Sequence, residues 1–432
     1  MSNISASVLS ARPRTWHRDT RPAAFSGLIG SLGVMGASEM CNRLTRVATA
    51  VTLAHVLSPT EFGLAAVTLT TWELTRVLTS TGLDARIIQC KAEDLEKVCR
   101  SSYSLNWWLH LAVCLVQVVM AFPIAYYYGD IRIAFLLLGL AVPYLAFPWA
   151  AVQVCRLQRE QRIPITGGML VLLISGDNLL SVVLALCGFG LWAVVIPKAV
   201  MSIVWAVIYR RLSPWRPTGR RDPRVVRDTF RFGAVILATE LINVLRLQGD
   251  KLIVGQMLGL EQLGTYFFAY NSGLGIMTGI VGALSVALLP HFCKHTEGSW
   301  SEWRFWRPAL TVSLLILPLV ALQVALAPVY VPIVFGARWI HAVPLLMVLC
   351  ASGVSLGLWR TLTQYIRSQG QPMLELLVTA GYCCSGLSVV LLLSRSGTMA
   401  VGYGLLVSSL VMVPALAIIS LRHLKSRIEA RS

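Results

Sequence analysis

Basic side chains interrupt several stretches of this sequence that are otherwise strongly apolar. These residues are Arg43, Arg46, Arg76, Lys198, Arg246, Lys251 and Arg360. A charge near the centre of a bilayer costs at least about 2.5 kcal/mol on insertion scales, so such residues usually face a bundle interior or a water-filled cavity. The planar guanidinium of arginine can bind two phosphate oxygens at once. The set therefore predicts a cationic cavity that suits an anionic ligand such as a diphosphate.

Polar residues recur at helical spacing in separate places along the chain. One set is Glu39, Arg43, Arg46 and Thr49, and the other is Glu240, Asn243, Arg246 and Asp250. Steps of three and four residues place each set on one face of an α-helix. A further stripe carries hydroxyl groups at Thr68, Thr71, Thr75 and Thr79. We expect the two charged faces to line one shared cavity, in which the cations outnumber the acids.

Local ion pairs are an alternative explanation for part of this pattern. The candidate pairs at helical spacing are Glu39–Arg43, Glu73–Arg76 and Arg246–Asp250. Arg46 and Lys198 have no acidic residue at such a spacing, so local pairing does not explain them. Lys251 and Arg360 have another alternative, in which their long side chains reach toward a membrane interface.

The composition places the chain in a membrane. Of its 432 residues, 56% are hydrophobic and only 13% are charged, whereas soluble domains have about 25% charged residues. Apolar runs of about 20 residues match a hydrocarbon core about 30 Å thick, and the backbone in such a core must be satisfied within helices. The net charge is +17, and the basic residues lie mostly between these runs. That placement indicates membrane topology rather than nucleic-acid binding.

The apolar runs predict an all-α polytopic membrane protein with twelve transmembrane helices. Their approximate cores are 28–56, 61–83, 103–128, 131–154, 165–187, 190–209, 232–258, 262–289, 308–334, 341–366, 373–393 and 398–421. Lys and Arg residues concentrate in the loops and tails on one side, and only Arg132, Arg338 and Arg395 fall in loops on the other. By the positive-inside rule, both termini are then cytoplasmic.

The order of these segments divides the chain into two six-helix bundles around a central cavity. We expect a cytoplasmic tail at 1–24, the first bundle at 25–209, a basic cytoplasmic linker at 210–231, the second bundle at 232–421 and a cytoplasmic tail at 422–432. Two pairs of similar segments support an internal repeat, namely Leu57–Val67 with Leu258–Phe268 and Tyr127–Leu140 with Val334–Leu349. Such repeats are common in transporters.

Motifs for other kinds of chemistry are missing from the sequence. No CxxC pair, GxxxxGK[ST] phosphate loop, GxSxG motif or HExxH motif occurs. His291 and His295 have a spacing that suits a metal, but no third ligand lies in the same segment. We therefore expect no metal, no cofactor and no enzymatic activity. Trp300, Trp303 and Trp306 are typical of an amphipathic turn at a membrane interface.

Longer stretches of the sequence resemble a known transporter family. Arg231–Tyr270 combines a basic-Phe-Gly start, a polar helix and a Leu-Gly…Leu-Gly-aromatic ending, and Arg46–Val67 follows the same plan. The HVLSPTEFG segment at 55–63 and the segment Val334–Leu346 are similar to those of exopolysaccharide translocases. The chain thus resembles the polysaccharide transporter, or oligosaccharide flippase, family of the multidrug/oligosaccharidyl-lipid/polysaccharide superfamily.

The resemblance runs from about Phe25 to Leu421 and implies a function. It implies two bundles that rock in alternating access in a bacterial inner membrane. The implied cargo is a polyprenyl-diphosphate-linked oligosaccharide repeat unit for exopolysaccharide, capsule or O-antigen synthesis. The implied partners are membrane lipid and a polysaccharide polymerase or export machinery, without nucleic acid. A multidrug or small-ion antiporter of the same superfamily is the alternative, although drug exporters usually carry acidic sites. A membrane-embedded acyl- or glycosyltransferase and an assembly scaffold are further alternatives.

The cavity and the resemblance together predict the site residues. We expect Arg43, Arg46 and Arg246 to bind the diphosphate or acidic sugars, with Arg76 and Lys198 assisting. Polar cavity or ion-coupling roles are expected for Glu39, Thr71, Thr75, Glu240, Asn243 and Asp250.

Overall fold

The computed structural model describes residues 23–80, 86–88, 90–160, 162–217, 223–294 and 302–429. Within those ranges the chain is almost entirely helical, which confirms the all-α prediction. Up to residue 217 the α-helices are α1 Ala23–Val56, α2 Pro59–Val77, α3 Leu95–Tyr128, α4 Arg132–Gly139, α5 Val142–Ala146, α6 Ala151–Arg159, α7 Ile163–Leu186 and α8 Trp192–Leu212.

The later part of the chain repeats this long-helix pattern. Its α-helices are α9 Pro223–Leu258, α10 Leu260–Ser272, α11 Leu274–Lys294, α12 Trp303–Tyr330, α13 Val343–Ala351, α14 Gly353–Ser368, α15 Pro372–Leu393 and α16 Thr398–Glu429. Helix α12 continues into a π-helical turn, Val331–Phe335, and a 3-10 helix, Ala337–Ala342, precedes α13.

Eight parts of the described chain are long and apolar enough to cross a membrane by length and composition. They are Ala92–Tyr128, Arg132–Trp149, Ile165–Leu186, Trp192–Leu212, Trp303–Phe335, Ala337–Ser368, Pro372–Ser396 and Thr398–Arg427. The protein is therefore a multi-pass membrane protein. The other predicted segments are 28–56, 61–83, 232–258 and 262–289, and they fall on α1, α2, α9 and the α10–α11 pair. The first three of these carry the polar stripes.

Some predicted segments are not single continuous helices. Segment 131–154 is divided among α4, α5 and α6, segment 262–289 between α10 and α11, and segment 341–366 between α13 and α14. At the α10–α11 break, a Cβ on Gly273 would lie 2.9 Å from the Ala269 carbonyl oxygen and 3.0 Å from that of Leu346. The sequence predicted one span over 262–289, whereas the structure has two helices there. The close approach of α13 interrupts the helix at Gly273, and hydropathy does not detect such an approach.

The start of α2 is fixed by a capping box at its N-terminus. The backbone N–H of Glu61 donates to Ser58 Oγ at 3.3 Å, and the backbone N–H of Ser58 donates to Glu61 Oε2 at 2.8 Å. This reciprocal pair satisfies backbone donors that a helix N-terminus leaves without partners. The cap therefore sets the first turn of the helix and positions Gly63, which lies just inside it.

Helices α2 and α10 cross at two glycines. A Cβ on Gly63 would overlap the carbonyl oxygen of Leu260, and a Cβ on Gly264 would overlap that of Pro59. Each glycine lies four residues after the carbonyl that faces the other glycine, so the contact is reciprocal, as it is across a two-fold axis. These residues belong to the two segments that the sequence paired as similar. The similar segments thus pack directly against each other.

An aromatic cluster packs beside this crossing. Trp339, in the 3-10 helix before α13, is 1% exposed and stacks on Phe268 of α10 with ring centroids 4.1 Å apart. Phe62 of α2 meets the same indole edge-on at 4.9 Å. The indole Nε1 of Trp339 donates to the Ala54 carbonyl oxygen of α1 at 3.0 Å. The cluster therefore joins α1, α2 and α10 at one end of the molecule.

Candidate functional site

Polar side chains of α1 contact two neighbouring helices, α11 and α7. Arg43 Nη2 donates to the carbonyl oxygen of Gly279 on α11 at 3.2 Å, so this arginine reaches the later part of the chain. Arg46, one turn further on, is exposed and forms no ion pair with a described residue. Thr49 Oγ1 donates to a backbone oxygen of α7 at 2.9 Å. The Glu39 side chain lies outside the described residues, so its pairing and its role stay predictions.

The hydroxyl stripe of α2 packs into the earlier part of the chain. Thr75 Oγ1 donates to Gln117 Oε1 of α3 at 2.8 Å and lies 2.9 Å from the hydroxyl oxygen of Tyr144 in α5. Thr71, one turn earlier, is 8% exposed. The Thr75 hydroxyl therefore contacts α3 and α5 and helps to hold α2 against them.

Two of the predicted substrate-binding cations have acidic partners. Arg76 Nη2 lies 2.7 Å from Glu73 Oε2, which confirms that local pair. Lys198 Nζ, on α8, lies 2.9 Å from Asp177 Oδ2, on α7. Helical spacing left Lys198 without a partner, because it detects only partners on the same helix. Charge neutralisation weakens the case for Arg76 and Lys198 as anion-binding residues.

The charges near the end of α9 form a buried cluster. Asp250 and Lys251 are 6% and 2% exposed. Tyr266 Oη donates to Asp250 Oδ2 at 2.6 Å, and Lys251 Nζ donates to Asp250 Oδ1 at 3.4 Å. The same ammonium lies 3.9 Å from the ring centroid of Tyr270. The alternative that Lys251 reaches a membrane interface was wrong, and so was the local Arg246–Asp250 pair, because α10 and its tyrosines enclose these groups.

Arg246 lies against aromatic rings rather than against a carboxylate. Its guanidinium carbon is 5.5 Å from the ring centroid of Trp359 on α14 and 5.8 Å from that of Tyr382 on α15. Arg360 follows Trp359 in α14 and is half-buried. The Nε atoms of both arginines are buried and have no hydrogen-bond partner in the described part of the chain. The sequence allows Arg360 either a cavity or an interfacial position, and the structure buries its Nε atom.

Sequence reasoning did not include Arg367 and Glu375 among the site residues. Arg367 Nε lies 2.8 and 2.9 Å from the two carboxylate oxygens of Glu375, which is 7% exposed. Glu240 of α9 is close enough to attract Arg367 as well, and Asn243 is half-buried one turn further along α9. The available signal was the opposite charge of two residues that flank the short connection between α14 and α15.

The structure offers no metal centre in the residues that it describes. No group of three or more His, Cys, Asp or Glu side chains there is arranged to hold a metal ion. His295 and Trp300 lie outside the described residues, so the predictions that include them remain untested. Trp303 begins α12 and is 66% exposed, in the position expected of an interfacial side chain.

Two of the predicted site arginines are not paired with a carboxylate of a described residue. Arg46 is exposed on α1, Arg246 is held against aromatic rings on α9, and neither has a carboxylate partner among the described residues. Guanidinium groups bind oxyanions through charge-assisted hydrogen bonds that are about twice as strong as neutral ones. The neighbouring acids Glu73, Asp177 and Asp250 are already occupied by other groups.

Sequence comparisons find relatives in bacterial polysaccharide synthesis. The profile of the family described as "Polysaccharide biosynthesis protein" matches residues 52–344. The teichuronic acid biosynthesis protein TuaB of Bacillus subtilis is 25% identical over 73% of this chain and 66% of its own length. The succinoglycan biosynthesis transport protein ExoT of Rhizobium meliloti is 27% identical over 74% and 65%. The lipopolysaccharide biosynthesis protein WzxC of Escherichia coli is 23% identical over 76% and 64%. The alignments thus span slightly less than two thirds of these relatives.

Solved structures with the same fold come from membrane transporters. The lipid II flippase MurJ in an inward closed conformation superposes with a TM-score of 0.77 at 11% identity, over 90% of this chain and 87% of its own. An inward-facing multidrug resistance MATE family transporter of the MOP superfamily superposes with a TM-score of 0.71 at 14% identity, over 89% and 96%. At these identities the likeness concerns the fold alone.

Proposed function

Because the chain belongs to the polysaccharide biosynthesis protein family, we propose that it is a flippase for polyprenyl-diphosphate-linked oligosaccharide repeat units. It carries them across a bacterial inner membrane for exopolysaccharide, capsule or O-antigen synthesis. The observation that carries the proposal is the pair of membrane-helix cations, Arg46 and Arg246, that have no carboxylate partner among the described residues. Such charges are costly in a bilayer unless a cavity or an anionic ligand receives them.

The proposed architecture has twelve transmembrane segments in two six-helix bundles, at 25–209 and 232–421. The linker at 210–231 and the tails at 1–24 and 422–432 are cytoplasmic. The reciprocal crossing of Gly63 and Gly264 supports a two-fold relation between the bundles. The eight apolar spans, the polar helices α1, α2 and α9 and the α10–α11 pair fit this count when the polar faces line a cavity.

In this topology the connection between α1 and α2 faces the outside of the membrane. The Gly63–Gly264 crossing and the Trp339 cluster then close the outer end, so that cargo approaches from the cytoplasmic leaflet. Alternating access requires the two bundles to rock until this crossing parts. The cavity must bind cargo with similar affinity in both states, because a large difference would trap one of them.

The cationic residues of the cavity have distinct parts in this proposal. Arg43 and Arg46 on α1 bind the diphosphate or acidic sugars together with Arg246 on α9. Arg76 and Lys198 contribute less, since Glu73 and Asp177 neutralise them. No catalytic step is proposed, and the partners are membrane lipid, the lipid-linked oligosaccharide and the machinery that polymerises or exports it.

The leaflet distribution of lipid-linked oligosaccharide tests this function. Cells depleted of the protein are supplied with wild type, with Arg46→Ala or with Arg395→Ala as an exposed control outside the proposed cavity. We expect the intermediate to accumulate on the cytoplasmic leaflet, and wild type and Arg395→Ala to restore its translocation while Arg46→Ala does not. An unchanged distribution in cells without a second flippase, together with altered drug sensitivity, would favour the antiporter instead.

A further inference from the structure

A buried histidine of the first bundle is not among the proposed cavity residues. His110 lies near the middle of α3, within the apolar span Ala92–Tyr128, and is 6% exposed. It shares one face of the helix with Ser102 and Asn106, which are 1% and 6% exposed, because steps of four residues return to the same side. Ionisable residues inside a membrane-spanning helix are costly and usually belong to an ion or proton pathway. The cationic cavity does not explain this one.

The hydrogen bond of the imidazole determines which ring nitrogen can accept a proton. His110 Nδ1 lies 2.9 Å from the backbone oxygen of Asn106. A carbonyl oxygen only accepts, so Nδ1 carries the hydrogen and the neutral ring has its lone pair on Nε2. Within the described part of the chain, Nε2 forms no hydrogen bond. A proton that reaches Nε2 therefore meets an available base.

Polar groups extend from His110 in both directions along α3. Toward the start of the helix, which is cytoplasmic in the proposed topology, Ser102 Oγ is buried and has no hydrogen-bond partner among the described residues. Such atoms are usually satisfied by water. Beyond His110, the ring centroid of Tyr144 lies 6.4 Å from that of the imidazole, and the Tyr144 hydroxyl lies 2.9 Å from Thr75 Oγ1. Thr75 donates to Gln117 Oε1 at 2.8 Å, two turns further along α3. These groups form a polar route through an otherwise apolar bundle.

Among the described residues, no carboxylate contacts the imidazole to neutralise a bound proton. The titratable ring that faces it is Tyr144 of α5, and Phe147, from the 3-10 turn Phe147–Trp149, does not titrate. On α2, Arg76 and Glu73 neutralise each other at 2.7 Å. Other titratable groups of α3 and the elements packed against it are Cys114 one turn after His110, Glu93, Asp94, Glu96, Cys99, Tyr103 and Arg156 toward the cytoplasmic end, and Tyr128, Asp130, Arg132, Asp250 and Lys251 toward the other end. An imidazolium here is therefore costly until the bundle admits water.

We propose that His110 is the proton-binding site that couples translocation to the transmembrane proton gradient. The inference rests on the proposed flippase function. A proton passes from water to Nε2 on one side of the membrane and returns to water on the other, and only the N–H bond forms and breaks. Asp250, for which the sequence predicts a coupling role, has its two oxygens occupied by Tyr266 and Lys251.

Helix α2 connects the proton site to the outer closure. The Tyr144 hydroxyl donates to the Trp72 carbonyl oxygen of α2 at 3.3 Å, and the start of the same helix forms the glycine crossing at Gly63. A charge on the imidazole beside Tyr144 disfavours the dry packing of α2 against α3 and α5, and so favours the state in which the crossing has parted. Because the cost of protonation differs between the two states, a proton gradient shifts the equilibrium between them.

Translocation in proteoliposomes tests the coupling. The full chain is reconstituted with lipid-linked oligosaccharide extracted from the depleted cells, the membrane potential is clamped, and a pH gradient of about one unit, a sodium gradient or no gradient is imposed. We expect the pH gradient to change the wild-type rate at least about threefold, within the roughly tenfold that one unit allows for one proton, and the sodium gradient to leave it unchanged. His110→Gln should retain translocation without a gradient and lose the response to pH.

The chain offers a matched control for this variant. His55, at the end of α1, makes the same contact from Nδ1 to the backbone oxygen of the residue one turn earlier, at 2.9 Å, but is exposed. We expect His55→Gln to keep the response to the pH gradient. If His110 only supports packing, His110→Gln will lower thermal stability and slow translocation equally in every condition. The ratio of the rates with and without the pH gradient will then equal that of wild type, and the proposal will be overturned.

Proton binding is also measured without transport, by NMR of the purified chain with isotope-labelled histidine. The His110 resonance is identified by its loss in His110→Gln, and we expect Nε2 to move to its imidazolium position as the pH falls. A ring that stays neutral to the acid limit of the folded protein would refute the site. Wild type that translocates but responds to sodium or to neither gradient overturns the coupling and retains the flippase. Wild type that translocates in no condition, with a His110 that titrates, rejects the proposed function and retains the proton site.

Discussion

Helices α1 and α9 carry almost the same polar spacing and meet different surroundings. On α1, Arg46 is exposed and Arg43 donates across to α11. On α9, Asp250 and Lys251 are enclosed by tyrosines of α10, and Arg246 lies on the rings of α14 and α15. Equal spacing therefore gives each helix a polar face, but the neighbours decide whether that face is a surface or a core.

Because of this difference, we expect the polar face of α1 to contribute to ligand binding and that of α9 to contribute also to stability. Arg46 on α1 is exposed, so we expect it to act chiefly by contacting a ligand. Asp250 and Lys251 on α9 are buried, so their mutual compensation also contributes to stability. We therefore expect substitutions on α9 to affect folding more strongly than equivalent substitutions in the first half of the chain.

The largest expected effect is that of Asp250→Ala. The substitution leaves the Lys251 ammonium buried without its counter-charge and the Tyr266 hydroxyl without its acceptor. Breaking a buried pair in this way costs about 3–5 kcal/mol, measured by denaturant unfolding in detergent. The first-half control is Glu73→Ala, whose partner has a 48% exposed side chain, and it should cost about 1 kcal/mol or less. Equal losses would break the comparison between the two halves.

The glycine crossing is where the two halves should behave alike. Gly63→Ala and Gly264→Ala each introduce a Cβ that overlaps a carbonyl of the opposite helix. We expect each to destabilise the protein by about 1–3 kcal/mol, as overpacking does. Gly386→Ala on α15 is the matched control, because a Cβ there meets no atom within 4 Å. Thermal unfolding measures all three, and a large effect at only one crossing glycine would contradict the reciprocal contact.

A smaller effect is expected from the Lys198–Asp177 pair, which is buried less deeply than the α9 cluster. A double-mutant cycle with Lys198→Met and Asp177→Asn should give a coupling energy of about 1 kcal/mol, because each residue is the partner of the other. Transport by Lys198→Met should remain near wild type once expression is equalised. Lost transport without measurable coupling would mean that Lys198 contacts cargo rather than Asp177.

The smallest effect concerns a surface pair between α3 and α4. Arg132 Nη2 lies 2.7 Å from Asp130 Oδ2, and its hydrogen bonds lower the pKa of Asp130 from the ordinary value. The resulting stabilisation is present above the ordinary pKa of aspartate and is lost as the pH falls through the lowered pKa. Because Arg132 is exposed, it amounts to less than about 1 kcal/mol.

Unfolding of wild type and Arg132→Gln at several pH values measures this contribution. The difference in unfolding free energy between the two proteins should shrink as the pH falls from above the ordinary pKa of aspartate through its lowered value in the folded protein, below which the aspartate is protonated in both states. A difference that stays constant with pH would show that Arg132 acts through packing instead.

The sequence predicted those features that depend on contacts within one helix. The polar stripes, the Glu73–Arg76 pair and the similarity of the segments that cross at Gly63 and Gly264 all follow from spacing or order along the chain. The helical membrane class follows from composition. Each of these properties is local, or is repeated often enough to be read without knowing which helices are neighbours.

Other features required the tertiary arrangement. The partner of Lys198 lies on another helix, and the burial of Lys251 depends on tyrosines contributed by α10. The break at Gly273 depends on the approach of a carbonyl from α13. The contact of Arg246 with Trp359 depends on the position of α14 beside α9. Helical periodicity tells which side a residue takes, but not which element lies on that side.

The glycine crossing also restricts how this protein can vary in evolution. When a large and a small residue meet in a core, enlargement of one can be offset by reduction of the other. Gly63 and Gly264 each face a backbone carbonyl, and neither a carbonyl nor a glycine can become smaller. Compensating changes in residue size are therefore not possible at this pair. Among functional homologues we expect both positions to stay fixed independently, without the paired size changes that ordinary contacts display.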